Sequence, residues 1–151
     1  LLHEAEHAFW TSAAPPEENA KLAASRERNR RNLAAYAERI RIVRDGETWR
    51  GCTPALSAGH TAGHTCWRID TGGDVLLAWG DTVHFAAIQV PRPDIAVTYD
   101  RDPAQARHAR LAMLDMVSRN PMMVAGSHLP APGIGRIVPT AAGYHFEPAP
   151  R

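Results

Sequence analysis

Apolar positions recur along this chain with two periods. Leu33, Tyr36, Ala37 and Ile40 are spaced as on one face of a helix and follow a first turn rich in acid, so a helix is predicted over 17–40. Ala5 to Thr11 suits a shorter helix, closed off before Pro15-Pro16, and Leu1-Leu2 reads as the end of a strand. Further on the period drops to two. Thr65 to Asp70 alternates, with Trp67 and Ile69 on one face and Cys66 and Arg68 on the other. Asp74 to Trp79 is a continuous apolar run, the pattern of a strand covered on both faces. Between these lie turn signals, Asp45-Gly46 and Thr71-Gly72-Gly73, the first predicting that Thr48–Arg50 pairs back on Arg41–Val43. Thr53–Ala58, Met122–Ala125, Ile134–Pro139 and Tyr144–Phe146 complete the expected strands, and Asp102 is placed to cap a helix over Pro103–Arg119. The pattern is α+β, with no repeat and no linker to divide 1–151 into two domains.

Composition narrows the function classes. The 151 residues are 44% hydrophobic and 22% charged with a net charge of +1, which gives no electrostatic case for nucleic acid or an anionic membrane as partner. No stretch approaches the roughly 20 apolar residues of a membrane span. The chain starts at Leu1 without a signal peptide, so the expectation is a native N-terminus further upstream, and localisation stays open, soluble and cytoplasmic by default. Cys52 and Cys66 are expected to be small buried hydrophobes and the four tryptophans to be core, while Arg26 to Arg31 is expected to be a solvated helix face. Eight histidines is the unusual count, and histidine is the commonest metal ligand.

Two of them, with one aspartate, fall at three strand ends. With a hairpin turn at Gly72-Gly73, residues near 63 and 64 pair opposite residues near 80 and 81, so antiparallel counting brings His60 and Asp81 to one end of the sheet. Gly126-Ser127-His128 follows the Met122–Ala125 strand. His60, Asp81 and His128 are thus candidate ligands of a divalent metal, since imidazole and carboxylate suit zinc and its neighbours.

The residues Gly59-His60-Thr61-Ala62-Gly63-His64 resemble the Gly-His-Thr-x-Gly-His signature of metallo-β-lactamase-fold hydrolases. Gly80-Asp81-Thr82 is similar to the bridging-aspartate motif of that superfamily, and Gly126-Ser127-His128-Leu129 to the segment bearing its last histidine. The longer stretches 80–90 and 126–137 are similar to the branch that contains methyl parathion hydrolase and lactonase- or esterase-like enzymes. The resemblance runs from about Leu1 to the C-terminus, and it implies the C-terminal half of a four-layer αββα sandwich. It also implies a centre of two zinc ions, other divalent metals being admissible, in which His60 binds one metal, Asp81 bridges both and His128 binds the second. His64 would orient the loop. The implied reaction is attack of metal-bound hydroxide on an ester-like bond in a small molecule: a lactone, a carboxyl ester or a phosphotriester. His84, three residues after Asp81, stands where related lactonases carry a tyrosine that assists the substrate carbonyl, and is the candidate catalytic residue.

The family's His-x-His-x-Asp-His motif has no match in the chain. The expectation is therefore an N-terminally truncated domain, inactive on its own; the alternative is a non-catalytic fragment or binding remnant. A competing motif, His3-Glu4-Ala5-Glu6-His7, fits the His-Glu-x-x-His pattern of zinc proteases, in which two histidines one turn apart bind the metal. That reading requires a full helix around the motif and a third ligand later in the chain.

Overall fold

The computed structural model describes residues 1–16, 18–120 and 122–150. A short parallel pair, β1 (Leu2–His3) with β2 (Ile42–Val43), brackets helices α1 (Glu4–Thr11) and α2 (Ala20–Ala35). A six-stranded mixed sheet follows: β3 (Cys52–Leu56), β4 (Thr65–Asp70), β5 (Val75–Ala78), β6 (Met123–Ala125), β7 (Ile134–Thr140) and β8 (Gly143–Pro148), side by side in that order. Every neighbouring pair is antiparallel except β5 and β6, which run parallel because the chain crosses between them through a single turn, α3 (Ala86–Gln89), and the long helix α4 (Pro103–Arg119).

The β4–β5 register pairs Trp67 with Ala78, so the count carries on to residues 64 and 81 as the hairpin turn predicts. Helix α4 begins where its cap residue says it should: the Asp102 carboxylate accepts from Gln105 N–H at 2.9 Å and proline occupies the first turn. Its apolar face meets the sheet. Cys66, Leu77, Trp79, Val124, Leu114, Val117, Ile137 and Phe146 form the buried core between them. The opposite face of the sheet is also apolar, yet none of Trp67, Ile69, Leu76, Ala78, Met123 or Ile134 is buried. Only Leu77 among the β5 residues Val75–Ala78 is fully covered, so that strand is buried on one face and partly open on the other, contrary to the expectation from its unbroken apolar run. The open face is what one half of a two-sheet sandwich presents.

Several local expectations give way to longer-range pairing. Residues 48–50 do not pair back on β2; β2 is taken by β1, and only Trp49 bridges to Cys52. The predicted helix over 17–40 is helical from Ala20 to Ala35 and then tightens into a 3-10 turn at Ala37–Arg39, leaving Tyr36 exposed rather than on a buried stripe; its expected start at Glu17 lies outside the described residues. Of the four tryptophans only Trp79 is core, and Cys66 is buried where Cys52 is half-exposed. The basic run is not wholly solvated either. Arg26 is buried, paired with Glu18 at 2.7 Å and bonded to the carbonyl of Phe9, while Arg30 donates to the carbonyls of Trp10, Thr11 and Ser12. The last carbonyls of a helix have no partner within it, and two arginines of α2 supply them here. They fix α1 in place, which matters below. Among the described residues no helix is long and apolar enough to cross a membrane.

Candidate metal centre

Three strand ends build the site. The first is the loop from Ser57 to His64 between β3 and β4. The carboxylate of Glu6, projecting from α1, accepts from the Thr61 hydroxyl at 2.6 Å and from Gly63 N–H at 3.2 Å. A side chain at position 63 would meet the backbone of Glu6 at 1.9 Å, so the glycine lets α1 sit directly on the loop. His64 ties this loop to the next one. Its Nδ1 faces the Ser57 carbonyl at 3.0 Å and its Nε2 accepts from Asp81 N–H at 3.0 Å. Those two bonds require the Nδ1–H tautomer, and burial lowers the His64 pKa, favouring the neutral ring. The second segment follows β5 and carries Asp81 and His84, of which His84 is held by Gln89: the buried amide oxygen of Gln89 accepts from His84 and Phe85 N–H at 2.8 and 3.1 Å, and its amide donates to the Ile95 carbonyl. The third follows β6, where Ser127 N–H donates to the Gly80 carbonyl at 3.4 Å and so carries His128 to the same end.

The three predicted ligands converge. His60 Nε2 lies 3.3 Å from one oxygen of Asp81, and His128 Nε2 lies 3.4 Å from the other. Two donors bound to one tetrahedral zinc at about 2.0–2.2 Å stand roughly 3.3–3.6 Å apart, so each histidine–carboxylate edge has the length that one metal would need, and the two oxygens of Asp81 would be free to serve two different ones. The donor set fits a carboxylate-bridged pair, with two ligands for each metal from these residues. His84 lies between the two halves. Its ring centroid is 4.8 Å from that of His60 and 4.9 Å from that of His128, against which it stacks, and it belongs to both clusters of ligating groups: Asp81 with His84 and His128, and His60 with His84 and Asp100. The charges agree with the geometry. The Asp81 carboxylate raises the His60 pKa against the opposing effect of burial, and His60 in turn holds Asp81 far below the usual carboxylate range. His84 is pushed down, chiefly by burial and then by His60.

Asp100 was not singled out from the sequence. It lies in a loop ahead of the α4 cap, beside Asp102, and no motif marks it. Its side chain is 1% exposed and one oxygen is 3.4 Å from His60 Nδ1. Behind it stands Arg110 of α4, fully buried, with a nitrogen 4.0 Å from the carboxylate. Arg110 did carry a signal, being an arginine in the buried stripe Ala106, Leu114, Val117.

His3 and His7 lie elsewhere. His3 is the N-cap of α1, its Nδ1 accepting from Ala5 N–H, with Asp45 3.5 Å from the other nitrogen, and Glu4 pairs with Arg44. Neither histidine belongs to a cluster of metal-ligating groups among the described residues. The helix required by the protease motif starts only after its first histidine.

No protein-family model and no curated protein sequence matches the chain. Solved structures do. A hydrolase of the beta lactamase superfamily, AbOPH, superposes on 99% of this chain with a TM-score of 0.91 at 29% identity. AidC, a dizinc quorum-quenching lactonase solved with the product N-hexanoyl-L-homoserine, covers 99% with a TM-score of 0.88 at 25% identity. AiiA of B. thuringiensis, with N-decanoyl-L-homoserine at its active site, covers 84% with a TM-score of 0.56 at 14% identity, a likeness of fold alone. The chain spans about half the length of these structures, 54% of AbOPH and of AidC. Its solved-structure neighbours are metallo-β-lactamase superfamily hydrolases, and its α+β fold is the C-terminal half of the four-layer αββα metallo-β-lactamase sandwich.

Proposed function

We propose that this chain furnishes His60, Asp81 and His128 to a two-metal centre that hydrolyses an ester-like bond in a small molecule, a lactone, carboxyl ester or phosphotriester, as in the branch resembling methyl parathion hydrolase and the lactonases. One observation carries the reading: the two oxygens of a single carboxylate, Asp81, each face a different imidazole at the edge length of a metal tetrahedron. Imidazole and carboxylate suit zinc, and also manganese, iron or cobalt. A divalent cation held there would supply Lewis acidity, lowering the pKa of water toward about 7 and polarising the oxygen of the scissile group.

The chain's own residues do the rest. His64 and Gln89 hold the Asp81–Phe85 backbone, so the carboxylate and the His84 ring keep their places as substrate enters. Beside His60 a cavity of about 410 Å³ opens between α2 and the Thr98–Arg101 segment, with Trp10, Lys21 and Tyr99 in its wall. Phe85 and Ile88 stand half-exposed next to His84 and would meet an apolar part of the substrate. His84 donates a hydrogen bond or proton to the substrate oxygen. Its membership of both ligating clusters favours a second role, that of an additional metal ligand.

Two expected results separate these readings. In a form of the enzyme with a complete two-metal centre, His84→Ala lowers lactone or aryl-ester turnover by about 10²–10⁴ if His84 acts as the acid, with metal content retained. Loss of metal assigns it as a ligand, and unchanged turnover with intact metal rejects both. Residues 1–151 alone should bind zinc weakly and turn over slowly, because two ligands per metal fall short of the three or four that zinc sites use. Zinc added to the chain should shift the ring signals of His60, His84 and His128 in NMR spectra and leave those of His3, His7 and His145 in place. Zinc-dependent shifts at His3 and His7 instead would overturn the proposal. Tight binding of two zinc ions with robust turnover would show that 1–151 needs no further ligands.

A further inference from the structure

The cavity beside His60 is lined by positive charge. Lys21 and Arg28 reach it from α2 and Arg101 from the loop ahead of α4. A guanidinium nitrogen of Arg28 lies 3.4 Å from the Ser25 hydroxyl in the same lining, and the Arg101 N–H donates to the His60 carbonyl at 3.3 Å. The acids nearby are engaged elsewhere. Asp100, the one carboxylate among the described residues of the lining, has a side chain 1% exposed and stands between His60 and Arg110. Glu18 pairs with Arg26, and Glu27 with Arg31. Among the described residues none of Lys21, Arg28 and Arg101 forms an ion pair. Three cations around one cavity repel one another, and an anion bound between them relieves that repulsion.

One wall joins these charges to the candidate metal centre. Tyr99 stacks on His84 with ring centroids 5.6 Å apart and planes 26° apart, and the Lys21 ammonium lies over the Tyr99 ring, 5.7 Å from its centroid. A cation within about 6 Å of an aromatic centroid is drawn to the ring face, so Tyr99 holds Lys21 one ring beyond His84. We propose that this cavity selects ester substrates with an oxyanion, carboxylate or phosphate, on one arm, which Lys21, Arg28 and Arg101 bind while the ester group lies against His60 and His84. The selection rests on the reading of the centre as hydrolytic; the anion site does not. A cleft lined by one sign of charge concentrates the opposite charge by about 10–10³-fold, and salt weakens the effect. Single exposed ion pairs contribute little, so the gain depends on several cations meeting one anion, and about tenfold is expected.

The test is an NMR titration of zinc-free 1–151 with monomethyl suberate, a carboxylate and a methyl ester on one chain, against dimethyl suberate, which lacks the charge. The monoester should shift the signals of Lys21, Arg28, Tyr99 and Arg101 and bind about tenfold more tightly than the diester. The difference should close at about 1 M salt, where charges are screened within roughly 3 Å. Inorganic phosphate should compete for the same residues, and its strength relative to the monoester tells which oxyanion is preferred. Lys21→Gln combined with Arg28→Gln changes two exposed side chains and should remove most of the preference. Equal binding of the two esters overturns the proposal, as do shifts confined to residues outside the cavity or a preference that survives the double variant. In a form of the enzyme with a complete two-metal centre, the ratio of kcat/KM for the two esters should follow the same order, and equal values overturn the selection. The hydrolytic reading is scored separately, by the zinc-dependent shifts of His60 and His128. A chain that prefers the monoester while zinc moves neither histidine keeps the anion site and loses the ester hydrolysis.

Discussion

Asp81→Asn is expected to abolish the zinc-dependent shifts of His60 and His128 together, with a loss of affinity beyond the roughly 100-fold that removal of an orienting partner costs. The exchange preserves size and one acceptor oxygen. It removes the charge, and with it the second oxygen that would serve the other metal. A site with two independent metals would lose one set of shifts and keep the other; a bridged pair loses both. The same variant has a signature in zinc-free protein. Asp81 is the first cause of the raised His60 pKa, and His60 the first cause of the lowered Asp81 pKa. A histidine whose folded pKa is raised adds stability fully present below its unfolded value and lost as pH rises through the folded one. A carboxylate whose folded pKa is depressed adds stability present above its unfolded value and lost as pH falls towards the folded one. The pair therefore stabilises the metal-free fold most between the ordinary values of 3.8 and 6.5. Thermal melts should show Asp81→Asn less stable than the parent in that window, with the gap closing as pH climbs past the raised His60 value. Zinc affinity of the unaltered chain should run the other way and increase with pH, because the ligand must shed the proton that Asp81 helps it keep. A gap in melting temperature independent of pH would show that the two side chains are not coupled.

That convergence was legible because each step of it is local. Gly72-Gly73 sets a turn, period-two alternation sets the strands on either side, and counting outward puts residue 64 opposite 81. The helix over Pro103–Arg119 was equally legible from its cap. The failures share a different cause. Helix α2 stops at Ala35 and β2 pairs with β1, outcomes decided by which distant backbone groups need partners. Arg26 and Arg30 look like members of a solvated charged run until the final carbonyls of α1, up to 20 residues earlier, claim them. Asp100 has no sequence signal because its meaning lies 40 residues away, in His60. The motif residues that touch the centre can be recognised singly, whereas the residues that hold them are defined only by the fold.

Arg110→Met is the substitution expected to cost the fold most. Methionine fills much of the same space on the apolar stripe of α4, so the effect isolates the loss of charge and donors from the loss of volume. The change takes the arginine away from the buried Asp100 carboxylate, leaving only His60 beside it, and removes a donor from each of three carbonyls, those of Thr82, Pro93 and Ile95, of which Ile95 keeps the amide of Gln89. Breaking a buried pair in this way costs about 3–5 kcal/mol. For a domain of this size each kcal/mol moves the melting temperature by about 2–4 °C, so the variant should melt roughly 6–20 °C lower. The reason is the stranded acid, and the double variant checks it. Asp100→Asn removes the charge that Arg110→Met strands, so combining the two should recover about 0.5–3 kcal/mol relative to the sum of the single losses. Strictly additive losses would show that the 4.0 Å approach of the two groups carries no energy, and Arg110 would then be held for its bonds to the carbonyls alone.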